Sequence, residues 1–357
     1  EKFEEKRFEK ANRDLMQTQL FTNRVMTFMM PMMMLIMNAI TVAIVWFGAK
    51  GVDLGNLQVG DMIAFITYTM QIVMAFLMLT MVSIMLPRAG VAATRIEEVL
   101  DTEPSIHDAE QTKGDEEDCS GVLEFHDVGF AYDGAKEEAL SDISFTARPG
   151  ETTAIIGSTG CGKTTLLNLI PRFYDVTSGS ITIDEIDVRE MSQEKLRSLI
   201  GYVPQKGVLF SGTIASNLKF AGDQVSDEMM KEAADIAQAV DFIEEYNSPI
   251  AQGGTNVSGG QKQRLSIARA IAKNPKIFLF DDSFSALDYK TDVALRKKLN
   301  ERVKDATVLI VAQRISTILH ADKIIVLEEG RIAGIGTHEE LLAGCETYQE
   351  IASSQLS

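Results

Sequence analysis

The chain has 357 residues, enough for two ordinary domains, and a formal net charge of −17, which argues against nucleic acid as a partner. Its three cysteines and four histidines are too widely spaced to form a metal site, so the cysteines are predicted to be free thiols in a reducing compartment. Because the chain begins at Glu1 within a charged helical pattern, we expect it to be a fragment of a longer protein.

Two uncharged stretches of 25 residues, 25–49 and 62–86, are each longer than the roughly 20 residues that a membrane-spanning helix needs. Only twelve residues separate them, so a membrane α-helical hairpin is predicted. Lysines and arginines precede the first stretch and follow the second, whereas the turn holds Lys50 alone. Both outer ends are therefore predicted to face the cytoplasm. The alternative is a pair of buried helices in a soluble protein.

A change of composition near residue 100 separates this part, residues 1–100, from the rest of the chain. Residues 101–118 hold eight acidic side chains and one lysine, so residues 101–120 are predicted to be a solvated linker. Strand and helix signals then alternate through residues 121–357, which predicts an α/β domain with a mostly parallel sheet. Between Phe220 and Ala272 the pattern is helical and predicts an all-helical insertion.

The segment "GSTGCGKTT", residues 157–165, follows an apolar strand and opens a helix, the context that confirms a phosphate-binding P-loop. Its backbone N–H groups can surround phosphates, and Lys163 can reach the β- and γ-phosphates. Thr164 and Asp281, the latter at the end of the strand "KIFLF", are predicted Mg²⁺ ligands. The predicted nucleotide-binding residues of the loop are Gly157, Ser158, Thr159, Gly160, Cys161, Gly162, Lys163, Thr164 and Thr165.

A second glycine-rich helix start, "VSGGQ", lies within the helical region. Ser258, Gly259 and Gly260 place a hydroxyl and two unhindered N–H groups at the beginning of a helix, where anions bind. A single domain has no evident use for two phosphate-binding sites, the P-loop and this helix start. Two domains that face each other head to tail could each complete the ATP site of the other. A helix cap with flexible glycines would explain this segment alone.

The P-loop, "VSGGQ", "LFDDSFSALD" and "VAQRIST", in this order, resemble the nucleotide-binding domain of an ABC transporter. With membrane helices ahead of that domain, the chain resembles an ABC exporter half-transporter, and its two spans would be the last two of six. The resemblance implies ATP and Mg²⁺ as cofactors, a multi-pass location in the cell membrane, a cytoplasmic ATP-binding domain and a second half-transporter as partner.

The same resemblance assigns roles to residues outside the P-loop. It implies that Tyr132 stacks on adenine, and that Gln205 contacts Mg²⁺ and reports to the membrane helices. Asp288 would bridge two nucleotide-binding domains. The residues that would contact the partner's ATP are Ser258, Gly259, Gly260 and Gln261.

Two positions depart from the family pattern. Asp282 stands where the family usually has the Glu that polarises the attacking water, and Gln313 stands where it usually has a His. Aspartate withdraws the carboxylate by one C–C bond, and such a misplacement can cost about 10²-fold in rate. Glutamine cannot carry the histidine's proton. His320 lies roughly 10 Å along a helical segment and is a poor substitute.

These departures predict a hydrolysis-impaired, degenerate ATP site in one subunit of a heterodimeric exporter. A slow homodimeric exporter, a nucleotide-gated protein that does not pump and a soluble P-loop enzyme are the alternatives. The resemblance implies that the substrate is a hydrophobic drug, a lipid or a peptide. A methionine stripe on the second span could contact such substrates or pack against a neighbouring helix or lipid; it consists of Met70, Met74, Met78, Met81 and Met85.

Overall fold

The computed structural model describes residues 2–114, 118–222 and 224–356 and divides the chain into two compact units, with the boundary between Glu103 and Pro104. Residues 115–117 of the predicted acidic linker lie outside the described residues.

Two long helices make up the first unit. Helix α1 spans Lys2–Asp53 and helix α2 spans Val59–Leu100, so each contains one predicted span. Both are long and apolar enough to cross a membrane, and their apolar segments are not buried in the protein, unlike the core helices of a soluble fold. The turn ends where the Asp61 carboxylate accepts a hydrogen bond from the Gln58 N–H at 2.9 Å.

The second unit is an α/β domain, as predicted. Its strands are β1 (Leu123–Phe130), β2 (Leu140–Ala147), β3 (Thr152–Gly157), β4 (Ser178–Ile183), β5 (Ile186–Asp187), β6 (Ile200–Val203), β7 (Gly212–Thr213), β8 (Pro249–Ile250), β9 (Ile277–Asp281), β10 (Thr307–Val311), β11 (Lys323–Glu328) and β12 (Arg331–Gly336). Its helices are α3 (Lys163–Leu169), α4 (Gln193–Ser198), α5 (Ile214–Leu218), α6 (Asp227–Ile236), α7 (Gly259–Ala272), α8 (Tyr289–Arg302), α9 (Ile315–Ile318), α10 (His338–Gly344) and α11 (Glu346–Leu356).

The main sheet has six strands in the order β12-β11-β3-β10-β9-β6. Strands β11, β3, β10, β9 and β6 are parallel, and only the edge strand β12 runs antiparallel. Every residue of β9 and β10 is buried, as expected where helices cover both faces of a parallel sheet. Val311 is in register with both Ile155 and Asp281, so β3, β10 and β9 end at the same edge.

A second, antiparallel sheet in the order β2-β1-β4-β5 was not predicted from the sequence. Its strands β1 and β2 pair through Phe125 and Phe145, whose rings stack with centroids 4.5 Å apart. The sheet matters for the site because Tyr132 follows directly after β1.

The prediction of an all-helical insertion between Phe220 and Ala272 was wrong in part. Helices α6 and α7 are present, but β8 lies between them and pairs with β7. The Asn256 side chain stabilises this non-helical stretch, because it donates to the Pro249 carbonyl at 2.8 Å and accepts from the Ala251 N–H at 2.9 Å. Such local side-chain bonds to the backbone compete with helix formation and leave no periodic signal in the sequence.

Residues 104–114 of the predicted linker belong to the α/β unit, although most of their side chains are exposed as expected. Arg172, itself buried, donates to the His107 carbonyl at 3.1 Å and pairs with Asp175 at 2.6 Å. The Asp108 carboxylate accepts from the Gln193 N–H at the start of α4 at 3.0 Å. Residues 104–114 are therefore attached to the rest of this unit through His107 and Asp108.

We expect Arg172→Ala to release this segment, because the His107 carbonyl loses its guanidinium donor. A charge-assisted hydrogen bond contributes about 1.5–3 kcal/mol, so amide hydrogen exchange in residues 104–114 should accelerate about tenfold or more. Mass spectrometry of the exchanging protein measures this. Arg331→Ala, at an exposed arginine on β12, is the control. Unchanged exchange in residues 104–114, with β9 still protected, would contradict the proposed attachment.

Candidate functional site

The P-loop connects β3 to α3 and is shaped by glycine backbones. Gly160 and Gly162 have φ of 87° and 100°, in the left-handed region that favours glycine. A Cβ atom on Gly162 would lie 2.9 Å from the Ala139 carbonyl oxygen, and one on Gly157 would lie 2.1 Å from that of Leu327. The loop therefore requires glycine for close packing against β11 and against the start of β2.

The Lys163 ammonium lies within this loop. Its Nζ atom donates to the carbonyl oxygens of Gly157 at 2.8 Å and Ser158 at 2.7 Å, and lies 3.6 Å from Cys161 Sγ. A positive charge held beside a loop of backbone N–H groups is the arrangement that binds phosphate.

Thr164 and Asp281, both predicted Mg²⁺ ligands, are adjacent. The Thr164 hydroxyl donates to the Asp281 carboxylate at 3.2 Å. Burial raises the pKa of Asp281, an effect that the Thr164 bond opposes and the neighbouring Asp282 charge reinforces. A divalent cation would stabilise the charged carboxylate, and oxygen atoms of this kind are the ligands that Mg²⁺ prefers.

A cavity of about 320 Å³ brings most of the predicted site together. Gly157, Ser158 and Cys161 belong to the loop but not to the cavity lining. Ala139 and Val311 line it and were not predicted. The residues that line the cavity are Tyr132, Ala139, Thr159, Gly160, Gly162, Lys163, Thr164, Thr165, Gln205, Asp281, Asp282, Val311 and Gln313.

Tyr132 lies at the edge of this cavity within an aromatic cluster. Its ring meets Phe130 and Tyr174 edge-on, with centroid distances of 4.8 and 5.3 Å. Its hydroxyl is 3.0 Å from the Thr165 hydroxyl at the start of α3. These contacts hold an exposed aromatic face next to the phosphate loop, where a nucleotide base could stack.

The two departures from the family pattern line the same cavity. Asp282 follows β9 with φ of 46°, a left-handed conformation that aspartate tolerates better than most residues. It is buried, and its carboxylate accepts from the Gln205 side chain at 3.3 Å. Gln313 reaches the cavity from the loop after β10. His320 is exposed and is not among the described residues that line the cavity.

The "VSGGQ" segment is not part of the described lining of this cavity. Ser258 caps α7: its hydroxyl accepts from the Gln261 N–H at 3.3 Å, and the Gln261 side chain accepts from the Ser258 N–H at 2.9 Å. None of Ser258, Gly259, Gly260 and Gln261 belongs to the described lining of the cavity, and Ser258 and Gly259 are exposed.

Asp288 is likewise a local cap. It begins α8 and accepts from the Thr291 N–H at 3.0 Å. Hydrogen bonds from the Thr291 hydroxyl and backbone lower the pKa of Asp288. Its role between two domains stays a prediction.

A larger cavity, of about 860 Å³, lies between α4, β6 and α7. The predicted site residues are absent from its lining as far as the structure describes it. The smaller cavity is the candidate site because it holds the phosphate-binding chemistry.

Comparisons with known proteins find matches to both parts of the chain. The model of the ABC transporter transmembrane region matches residues 1–76, and that of the ABC transporter matches residues 140–285. An uncharacterized ABC transporter ATP-binding protein of Mycobacterium bovis is 48% identical, over 99% of this chain and 62% of the relative. An ATP-dependent lipid A-core flippase of Desulfotalea psychrophila is 34% identical, over 99% of this chain and 62% of the relative.

Among solved structures, a bacterial Atm1-family ABC exporter with ATP bound matches with a TM-score of 0.75 and 34% sequence identity. The match covers 90% of this chain and 57% of that chain. The chain thus spans less than two thirds of the length of these proteins.

We expect Tyr132→Ala to weaken ATP binding about tenfold, because stacking of a base on an aromatic ring contributes about 1–3 kcal/mol. Tyr132→Phe keeps the ring and its aromatic neighbours and should stay within about twofold of the wild-type affinity. Photolabelling of the full-length protein with azido-ATP, titrated with unlabelled ATP, gives both affinities. Equal affinity in the Ala variant and the wild type would exclude Tyr132 as the base-stacking residue.

Proposed function

The chain belongs to the ABC transporter family, as an exporter half-transporter with membrane and ATP-binding domains, and from this premise we propose that it is one subunit of a heterodimeric exporter. In this proposal its own ATP site binds nucleotide but hydrolyses it poorly. The observation that carries the proposal is the shared cavity: Asp282 and Gln313 line the same space as Lys163, Thr164 and Asp281.

The binding half of the site agrees with the family pattern. Lys163 and the P-loop would hold the phosphates, and Thr164, Gln205 and Asp281 would hold Mg²⁺, which would neutralise phosphate charge. The hydrolytic half differs. The Asp282 carboxylate is one methylene shorter than the usual glutamate, and its contact with Gln205 fixes it on one side of the cavity. A catalytic group displaced by about 1 Å can lose about 10²-fold in rate.

Gln313 adds a second defect at the same place. Its amide can donate a hydrogen bond to a phosphate oxygen but cannot carry a positive charge or transfer a proton. Both changes weaken stabilisation of the transition state, whereas ATP binding depends on other groups. The proposed result is a site that retains ATP.

The exposed start of α7 supports a role on a partner's nucleotide. In the Ser258–Gln261 capping box, Ser258 Oγ accepts the Gln261 N–H. The N–H groups of Gly259 and Gly260 occupy the first helical positions, where a helix offers no backbone acceptor. They can therefore bind a phosphate from another domain. In the proposed cycle two ATP molecules stabilise the closed pair of domains, and hydrolysis at the partner's site separates them.

The proposed transport substrate is a hydrophobic molecule. The methionine stripe from Met70 to Met85 is exposed on α2, so it can contact a hydrophobic drug, lipid or peptide, or else a neighbouring helix or the bilayer. The similarity to a lipid A-core flippase favours a lipid among these.

Restoring the usual residues tests the site directly. With the catalytic glutamate of the partner replaced by Gln, Asp282→Glu combined with Gln313→His should raise ATP hydrolysis by roughly 10²-fold. Asp282→Glu alone should give a smaller increase. Asp305→Glu makes the same change at an exposed turn and should have no effect. Steady-state phosphate release from the purified assembly measures all four proteins.

No increase in the double variant, with ATP still bound, would contradict the degenerate-site proposal.

The subunit composition is a separate expectation. The assembly purified from its own membrane through a tag on the full-length protein should contain a second half-transporter with Glu and His at the matching positions. Native mass spectrometry and peptide sequencing show this. Two copies of this chain alone would instead support a slow homodimeric exporter or a nucleotide-gated protein that does not pump.

A further inference from the structure

The side-chain amide of Gln355, near the C-terminal end of α11, makes two hydrogen bonds to the loop that carries Gln313. Its Nε2 atom donates to the Gln313 carbonyl at 2.8 Å. Its Oε1 atom accepts from the Ile315 N–H at 2.9 Å. One planar amide thus pairs with the backbone on both sides of Arg314, in the manner of a short β-bridge.

The loop depends on these bonds because its own structure supplies few. It begins after Val311, the last residue of β10, and the Ala312 N–H donates to the Ile155 carbonyl at 3.1 Å. Ile315 then begins α9, which is only four residues long and whose N-cap, Arg314, makes no side-chain capping bond. The first N–H groups of a helix have no backbone acceptor within it, so Gln355 provides the partner that the Ile315 N–H lacks.

Helix α11 is held against the domain by two buried residues on the face that also carries Gln355. Tyr348 is fully buried, and its hydroxyl lies 2.8 Å from His338 Nδ1. Ala352 is also buried. Residues 348, 352 and 355 share one helical face, so the anchored face of the helix continues to the glutamine.

A second side chain holds helix α9, which follows the loop. Arg296 on α8 donates to the Thr317 carbonyl at 2.7 Å and pairs with Asp292 at 2.6 Å. The bonds to Gln355 hold the backbone at residue 313, from which its side chain reaches the cavity.

We propose that Gln355 is a positioning residue that fixes residue 313 at the γ-phosphate of ATP, so that the C-terminal helix takes part in hydrolysis without touching nucleotide. This inference rests on the proposed function, because it takes the cavity to be an ATP site with residue 313 at the γ-phosphate. Loss of the clamp should misplace residue 313 and slow hydrolysis, while the P-loop and Tyr132 continue to bind ATP.

The test uses the full-length transporter in the background with a silenced partner site and with Asp282→Glu and Gln313→His. Adding Gln355→Ala should lower kcat about tenfold and leave KM for ATP within about twofold. Gln355→Glu keeps the acceptor for the Ile315 N–H but sets a carboxylate oxygen against the carbonyl of residue 313, so its kcat should fall at least as far as in Gln355→Ala. Gln349→Ala is the matched control, because Gln349 lies on the same helix and donates to the Leu342 carbonyl at 2.7 Å, away from the loop. It should leave both constants unchanged.

An unchanged kcat in Gln355→Ala would overturn the proposal. A parallel loss of kcat in Gln355→Ala and Gln349→Ala would also overturn it, because it would show that the helix matters only for folding. Failure of the proposed function gives a different result. In that case the site with Asp282 and Gln313 unchanged already hydrolyses ATP at a full rate, and the proposal of a degenerate site is wrong. The effect of Gln355→Ala is then measured in that native background, where the same loss of kcat is expected.

Discussion

The parallel register of β3, β10 and β9 is the constraint on which the rest of the site depends. Since Val311 is level with both Ile155 and Asp281, the three strands end together. The P-loop after β3, the two aspartates at the end of β9 and the loop after β10 therefore surround one cavity. Residues that are more than a hundred positions apart in the chain meet because β3, β10 and β9 are parallel neighbours, with α8 connecting β9 to β10.

The sequence predicted those parts whose signal is local. The two membrane-length helices, the buried strands of the main sheet and the P-loop each depend on a continuous apolar run or on glycines at fixed spacing. The antiparallel sheet, the β7–β8 pair and the attachment of the linker through Arg172 depend on partners that are distant in sequence, and no periodicity reveals them. Gln355 is the clearest case. Its role comes from where α11 packs, and a glutamine near the end of an amphipathic helix carries no such signal.

Binding and hydrolysis make different demands on this architecture. The phosphate loop is built from backbone, and a Cβ atom at Gly157 or Gly162 would collide with a carbonyl oxygen at β11 or before β2. Asp282 and Gln313 instead line the cavity through their side chains, which differ in length or charge from the glutamate and histidine usual in the family. This difference gives a physical reason why a site could keep nucleotide binding while its hydrolytic groups diverge, as the proposed function requires.

The exposed start of α7 is stable without a ligand and can also bind an anion. In the capping box each of Ser258 and Gln261 satisfies an N–H group of the other, so the helix start is stable without a ligand. The box leaves the Gly259 and Gly260 N–H groups facing outward with no side chain to shield them. A stability requirement alone would be met by many residues at these two positions, whereas close approach of a phosphate favours glycine at both. The same segment can therefore serve both as a helix cap and as an anion site. The helix cap alone does not explain why both positions are glycine.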